Sequence, residues 1–178
     1  MSKNVLIVSA SPRKGGNSDL LCDQFIQGAL ESKNQVEKIF LKIKILTIVL
    51  DVVLVMKKKQ VVQTDDMGEI LEKMIEADVI VLATPVYFYT MNAQMKTMID
   101  RTCSRYTEIC DKDFYFIVSA ADENVADMER TIEGFRGFTS CLNGSKEKGI
   151  VYGVGAWNVG DIKGSKAMKQ AYEMGKLV

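Results

Sequence analysis

Residues 5–18 read Val-Leu-Ile-Val-Ser-Ala-Ser-Pro-Arg-Lys-Gly-Gly-Asn-Ser, and this stretch decides the fold. Its first four residues form a continuous apolar run, which is typical of a strand in a parallel sheet that is covered on both faces. From Asp19 onward the apolar residues follow helical spacing, with Leu21 and Phe25 on one side. We therefore predict a strand, a glycine-rich loop and a helix in direct succession.

Strands and helices alternate along the rest of the chain. Further strands are predicted at 36–41, 79–83, 114–119 and 150–154, and helices at 65–77, 92–101, 124–142 and 165–176. Parallel neighbours need right-handed crossovers, which place helices on both faces of a sheet. We expect an α/β, doubly wound, five-stranded parallel sheet in the order 2-1-3-4-5, within one domain that spans residues 1–178.

This topology locates a candidate ligand site at the ends of strands 1 and 3. In open α/β sheets, ligands bind beyond the carboxyl ends of the strands at the switch point of the strand order. The only two prolines of the chain, Pro12 and Pro85, are expected in the two loops there. Proline fixes a turn at such positions, so ordinary turn formation is the alternative explanation for each.

Composition excludes several classes of function. Lys plus Arg number 23 and Asp plus Glu number 23, so the formal net charge is zero and no strong field attracts nucleic acid or anionic lipid. The chain has no histidine, which removes Ser/His and Cys/His nucleophile pairs and histidine-ligated metals. We therefore expect neither a nucleic-acid-binding protein nor a membrane protein.

The loop after the first strand combines groups that bind anions. It carries hydroxyls at Ser9, Ser11 and Ser18, an amide at Asn17, a guanidinium at Arg13, and two glycines. Backbone N–H groups at a helix N-terminus are unsatisfied and carry partial positive charge, and glycine lets the backbone approach a ligand. The spacing matches neither a Walker-type loop nor a dinucleotide fingerprint. The loop predicts a phosphate monoester site, and a plain capped turn is the alternative.

The loop after the third strand, residues 84–90, contains three consecutive aromatic residues, Tyr87, Phe88 and Tyr89. Aromatic side chains exposed at a switch point favour a flat ligand, although a core position or a dimer contact is the alternative. A phosphate site beside an aromatic loop indicates a mononucleotide with a large ring. Flavin mononucleotide (FMN) is the natural candidate.

Three segments, residues 11–18, 77–88 and 95–101, closely resemble the flavodoxin-like family of NAD(P)H-dependent FMN reductases and iron-sulfur flavoproteins. The resemblance covers nearly the whole chain. It implies that the FMN phosphate is held by Ser9, Ser11, Arg13, Asn17 and Ser18. It implies isoalloxazine contacts from Thr84, Pro85, Val86, Tyr87 and Phe88, with Ser119 and Ala120 closing the third side of the site. No catalytic side chain is assigned.

The resemblance also implies a function. We expect an FMN-dependent oxidoreductase that passes electrons from NAD(P)H through the bound flavin to a small-molecule or protein acceptor. A homodimer or larger homo-oligomer is implied, with its boundary at the helix after Asn92. One alternative is an electron carrier without NAD(P)H activity, and another is a cofactor-free scaffold. A receiver module would share the architecture, but it should carry paired acidic residues where Ser9 and Ser11 stand.

The cysteines depart from the iron-sulfur pattern. Relatives of that kind carry a compact cysteine cluster between strand 2 and the Asp-Asp-Met that stands here at residues 65–67, and this chain has no cysteine there. Its four cysteines, Cys22, Cys103, Cys110 and Cys141, are widely spaced and no secretory leader precedes them. We expect reduced packing thiols in a cytoplasmic protein, and no iron-sulfur cluster.

Residues 42–63 form an atypical insert. Its apolar run at 43–56 is shorter than the ~20 residues that span a bilayer, and its β-branched content predicts an extra edge strand or a partner contact. Residues 45–55 can be encoded by a DNA sequence that, when it is read from its third base, encodes Ile-Asn-Tyr-Cys-Ile-Gly-Cys-Gly-Ala-Cys. This peptide resembles the cysteine cluster of the iron-sulfur flavoproteins. A compensated frame shift is therefore a hypothesis, which the DNA sequence of the gene tests.

Overall fold

The structure is a computed structural model, and it describes residues 2–49 and 64–178. The strands are β1 (Asn4–Ser9), β2 (Gln35–Phe40), β3 (Val79–Tyr87), β4 (Thr90–Met91), β5 (Asp113–Ser119) and β6 (Lys146–Gly153). The α-helices are α1 (Asn17–Glu31), α2 (Met67–Glu76), α3 (Ala93–Arg101), α4 (Glu129–Thr139) and α5 (Lys166–Lys176). No helix in the described part of the chain combines the length and the apolar character needed to cross a bilayer.

The predicted flavodoxin-like sheet is confirmed. Its main path runs β2-β1-β3-β5-β6, which is the expected order 2-1-3-4-5, and every pair along it is parallel. Val8 pairs with Ile39 of β2 on one side and with Leu82 of β3 on the other. The strand order reverses at β1 and β3, so the switch point lies where the sequence predicts it.

Apolar cores cover both faces of the sheet, which explains the uninterrupted apolar runs of its central strands. Leu6 and Val8 of β1 belong to the core under α2, α3 and α4, whereas Val5 and Ile7 belong to the core under α1 and α5. Successive side chains of a strand point to opposite faces. Both sets must therefore be apolar.

The end of β3 differs from the prediction. The strand was expected to end at Ala83 and to pass into a loop, but it continues to Tyr87 and turns back through β4, a sixth strand. Pro85 therefore lies in a strand, beside Ser119 of β5, so the prediction that it lies in a loop is wrong, and the alternative of ordinary turn formation does not apply to it. Proline is tolerated there because β1 ends at Ser9, opposite Ala83, and leaves that side of β3 without a neighbour.

Other boundaries shift by a few residues. Helix α1 begins two residues before the expected Asp19, and β6 begins at Lys146 rather than at 150. The helix predicted at 124–142 is a 3₁₀ turn, Val125–Met128, followed by the shorter α4. Helices α1 and α5 cross closely, because a Cβ at Gly28 would lie 2.1 Å from a carbonyl oxygen of α5. The two helices therefore pack closely together over one face of the sheet.

The insert is described only in part. Residues 50–63 lie outside the described residues, and so does that part of the predicted edge strand. The described part is not a strand, because a 3₁₀ turn at Leu41–Ile43 is followed by irregular chain. The buried ion pair of Asp65 and Arg101, together with the exposed Thr47, forms a hydrogen-bonded network that we call the clamp. It ties the chain on both sides of residues 50–63 to the end of α3.

The clamp satisfies its charges completely. The carboxylate of Asp65 receives five hydrogen bonds: two from the Arg101 guanidinium, two from the backbone and hydroxyl of Thr47, and one from the backbone N–H of Met67. The side chains of Arg101 and Asp65 are only 5% and 1% exposed. Burial alone would raise the pKa of Asp65, but the hydrogen bonds from Arg101 and Thr47 outweigh it and hold that pKa well below its usual value.

Candidate functional site

A cleft of about 270 Å³ opens at the ends of β1 and β3, where the switch point was predicted. Its lining comes from four loops, which follow β1, β3, β5 and β6. The lining residues are Ser11, Pro12, Arg13, Gly16, Asn17, Ser18, Pro85, Val86, Tyr87, Ser119, Ala120, Ala121, Ala156, Trp157 and Val159. The fold therefore brings nine of the twelve expected site residues into one cleft.

One wall of the cleft is the cradle, residues 9–18, which ends in the first turn of α1. Gly16 is the N-cap of this helix, and no side chain caps it. The hydroxyl of Ser18 is buried there and has no hydrogen-bond partner among the described residues. A Cβ at position 16 would lie 2.7 Å from Ser11 Oγ and 2.9 Å from the carbonyl oxygen of Arg13. Only glycine fits, and the helix N-terminus stays open to an anion.

The other cradle residues differ in how they are placed. The Ser11 hydroxyl donates to the carbonyl oxygen of Arg13 at 2.7 Å and accepts from its N–H at 3.2 Å, which closes a tight turn. Arg13 itself is exposed at the mouth of the cleft. Its guanidinium is therefore free to reach a ligand phosphate.

Ser9 does not line the cleft. Its hydroxyl donates to Asp19 Oδ1 at 3.1 Å, and Asp19 Oδ2 accepts the N–H of Gly15 at 2.9 Å. Lys38 Nζ lies 2.5 Å from Asp19 Oδ1 and compensates this buried carboxylate. Sequence reasoning missed both Asp19 and Lys38. An acidic residue in the first turn of a helix that binds an anion was the available signal.

The second wall is the end of β3, where Pro85, Val86 and Tyr87 line the cleft. Thr84 is buried behind them, and its hydroxyl accepts the N–H of Asn92 at 3.1 Å. Phe88 is 98% exposed at the tip of the hairpin and also lies outside the lining. Thr84 therefore supports the wall and Phe88 extends beyond it.

The hairpin tip is unusual in its residues. Tyr87 of β3 pairs with Thr90 of β4, and the two residues between them, Phe88 and Tyr89, form the turn. Their φ angles are +48° and +67°. Such turns favour asparagine and glycine, because larger side chains are strained at positive φ. The expected exposure of the aromatics is found, since Tyr87 and Tyr89 are about half exposed.

The third wall includes residues that the sequence analysis did not assign. Ser119 and Ala120, at and just beyond the end of β5, line the cleft as expected, together with Ala121. The loop after β6, residues 154–164, adds Ala156, Trp157 and Val159, and we call it the Trp157 loop. A single tryptophan in a glycine-rich loop after a strand was the signal for it.

The side chain of Asn17 faces this loop. Its Nδ2 donates to the carbonyl oxygens of Ala156 at 3.1 Å and of Asn158 at 2.8 Å. Its Oδ1 accepts the N–H of Gly160 at 3.1 Å. The amide therefore joins α1 to the Trp157 loop.

The cysteines occupy different environments. Cys22 is buried in α1, and burial raises the pKa of its thiol to about 12, so the thiol stays protonated. Cys141 is exposed, so the expected packing role is wrong for it. Within residues 2–49 and 64–178, no group of three or more Cys, Asp or Glu side chains could hold a metal ion. The described side chains do not fit an iron-sulfur cluster.

The sheet order defines a flavodoxin-like α/β protein, and the N-terminus of α1 lies uncapped at its switch point. The family model of the NADPH-dependent FMN reductases matches residues 3–132. The chain belongs to that family.

Named relatives agree with this placement. An iron-sulfur flavoprotein of Archaeoglobus fulgidus is 36% identical over 94 residues, which are 53% of this chain and 43% of the relative. One of Methanocaldococcus jannaschii is 37% identical over 98 residues, which are 55% of this chain and 51% of the relative. The chain thus spans about half the length of these curated relatives.

A solved structure shares the fold along the whole chain. The FMN-dependent NADH-azoreductase of Bacillus anthracis, in complex with FMN, superposes with a TM-score of 0.77 at 18% identity, covering 99% of both chains. At that identity the likeness shows the fold alone.

Proposed function

We propose that the protein binds FMN in the cleft and acts as an oxidoreductase that passes electrons from NAD(P)H through the flavin to an acceptor. The observation that carries this proposal is the Ser18 hydroxyl, which is buried at the open N-terminus of α1 without a partner. A buried polar group without a partner costs about 1–3 kcal/mol, so its retention in a cleft indicates a ligand atom.

Ser18 has to be distinguished from similar atoms elsewhere. Among the described residues, four other buried side-chain atoms lack a partner, and they belong to Asn34, Ser104, Ser145 and Ser165. None of these four lines the cleft. Ser165 also lies at a helix N-terminus, as the N-cap of α5, but among the described residues only Ser18 combines an unmet hydroxyl with a position in the cleft lining, beside Arg13.

The groups of the cradle fit a phosphate dianion. Helix N–H groups and the Ser18 hydroxyl supply hydrogen-bond donors, and Arg13 supplies a charge-assisted contact. Asp19 lies under the cradle, but Lys38 compensates its charge at 2.5 Å. The cradle therefore presents donors to the ligand, and the neighbouring carboxylate of Asp19 does not line the cleft.

The second wall fits the flavin ring. Pro85 and Val86 offer apolar surface and Tyr87 offers an aromatic ring that is about half exposed. FMN, when bound, supplies the hydride and electron chemistry. The side chains then bind and orient it, which agrees with a chain that has no histidine.

The same proposal includes a cytoplasmic location, self-association and the use of NAD(P)H. All four cysteines are free thiols, which is the usual state in the cytoplasm. Self-association through α3 would use a polar surface, because the exposed Lys96 and Asp100 form an ion pair there.

Steady-state oxidation of NADH and NADPH with an added acceptor separates an enzyme from an electron carrier that does not use pyridine nucleotides.

An FMN titration followed by flavin fluorescence tests the phosphate site. Arg13→Ala should weaken FMN binding by about 1.5–3 kcal/mol, or roughly ten- to hundredfold, because a hydrogen bond to a charged group is lost. Lys14→Ala is the matched control, since Lys14 is an exposed cation of the same loop that does not line the cleft. Equal affinities in wild type, Arg13→Ala and Ser18→Ala would place the phosphate elsewhere.

A further inference from the structure

Trp157 is the only tryptophan of the chain, and it lines the cleft with 75% of its surface exposed. Val159, two residues further along the same loop, also lines the cleft and is 58% exposed. An indole is the largest apolar side chain, and covering it with a flat ligand removes much of that surface from water. The loop therefore offers a second planar contact to the cleft, besides Tyr87.

The Trp157 loop is held from both sides of the cleft. Ala156 N–H donates to the carbonyl oxygen of Ala120, just past the end of β5, at 2.8 Å. On the side of α1, the amide of Asn17 binds the carbonyl oxygens of both neighbours of Trp157. The position of the indole is thus determined by two separate elements of the site.

Asn17 is committed to this task. An asparagine amide has two N–H donors, and both are used by carbonyl oxygens of the loop. Its oxygen accepts N–H groups from Gly160 and Ile162. No donor of this side chain remains for a phosphate, so the contact that the family resemblance implies for Asn17 is unsupported by its hydrogen bonds.

We propose that Trp157 is a wall of the flavin site that packs against bound FMN, and that Asn17 is a positioning residue that holds it there. This inference rests on the proposed function, because it names further contacts of the same ligand. Since Asn17 is the first residue of α1, the helix that receives the phosphate is also the one that positions the indole.

The single tryptophan provides a direct test. Wild-type protein is titrated with FMN while indole emission is recorded, and equilibrium dialysis measures FMN binding in parallel. FMN next to the indole should quench most of the emission, in proportion to the bound fraction. FMN that binds in dialysis without changing the emission overturns the inference and leaves the proposed function intact. A failure to bind FMN at all overturns both.

A double-mutant cycle tests the role of Asn17. Asn17→Ala, Trp157→Ala and the double variant are titrated with FMN and with riboflavin, which lacks the phosphate. We expect each single change to weaken both ligands by about tenfold, and the double variant to be no weaker than Trp157→Ala. Leu177→Ala is the control, because Leu177 is an exposed apolar residue outside the cleft lining.

Two results would overturn the role of Asn17. Weaker binding of FMN but not of riboflavin in Asn17→Ala would mean that Asn17 contacts the phosphate directly. Additive losses in the double variant would mean that Asn17 and Trp157 act independently.

Discussion

The clamp and the cradle are both polar and both largely buried, but they treat their polar groups in opposite ways. At the clamp, the Asp65 carboxylate receives five hydrogen bonds, and its charge is matched by Arg101. At the cradle, the Ser18 hydroxyl is as well buried and has no partner in the part of the chain that the structure describes. Buried polar groups in folded proteins are nearly always hydrogen-bonded, so the second arrangement needs a reason.

The clamp therefore has a structural role, whereas the proposed role of the cradle is to bind a ligand. The clamp is complete without any ligand, so its groups serve the fold by tying the chain around residues 50–63 to α3. The cradle leaves the Ser18 hydroxyl without a partner among the described residues, and the proposed phosphate site rests on this unmet group. Asp65 thus belongs to the clamp and not to the cleft.

The largest effect is expected for breaking the clamp. Asp65→Ala removes one partner and leaves the Arg101 guanidinium buried and unpaired, which should cost about 3–5 kcal/mol of unfolding free energy. Urea unfolding measures it. The matched control is the double variant Asp65→Leu with Arg101→Met, which removes both charges and should stay closer to the wild type.

The double variant also tests whether the clamp and the cradle act independently. FMN affinity should be unchanged in the double variant, because neither residue lines the cleft. A loss below about 1 kcal/mol in Asp65→Ala would mean that the clamp is not a structural anchor. A parallel loss of FMN affinity in the double variant would mean that the two regions are coupled.

The clamp also predicts a dependence of stability on pH. The pKa of Asp65 is lower in the folded protein than in the unfolded chain, so the unfolded state takes up the proton first as the pH falls. The stabilisation is present above the unfolded pKa of about 4 and is lost as the pH falls below it. Wild type should therefore lose more unfolding free energy between about pH 5 and 2 than the double variant does. Equal slopes in urea unfolding across this range would contradict the prediction.

The smallest effect concerns Ser18, and it has the opposite sign. Ser18→Ala removes a buried hydroxyl without a partner, so the ligand-free protein should become more stable by about 1 kcal/mol while FMN binding weakens. Ser104→Ala is the matched control, because that hydroxyl is also buried and unpartnered but lies outside the cleft lining. It should stabilise without affecting FMN. Both variants are measured by thermal unfolding and by FMN titration. An FMN affinity that changes equally in the two variants would contradict the comparison.

Local patterns predicted the parts of the fold whose cause is local. The apolar run Val5–Val8 predicts a strand that is covered on both faces. The two glycines before Asn17 allow a tight turn into the N-terminus of α1. The hairpin at Phe88 and Tyr89 could not be predicted this way, because neither residue favours a positive φ. Its geometry follows from the pairing of β3 with β4, which overrides the preference of the turn residues.

Strand burial and helix entry depend on neighbours in the chain, so local sequence predicted the doubly wound sheet, its switch point and the residue types of the cradle. Which of those residues face the cleft depends on tertiary packing. It turned Ser9 toward Asp19 and Asn17 toward the Trp157 loop, and it added Trp157 to the wall. Asn17 and Asn158 are 141 positions apart in sequence. A hydrogen bond over that separation forms only when the packed sheet brings the ends of its strands together, so no local pattern contains it.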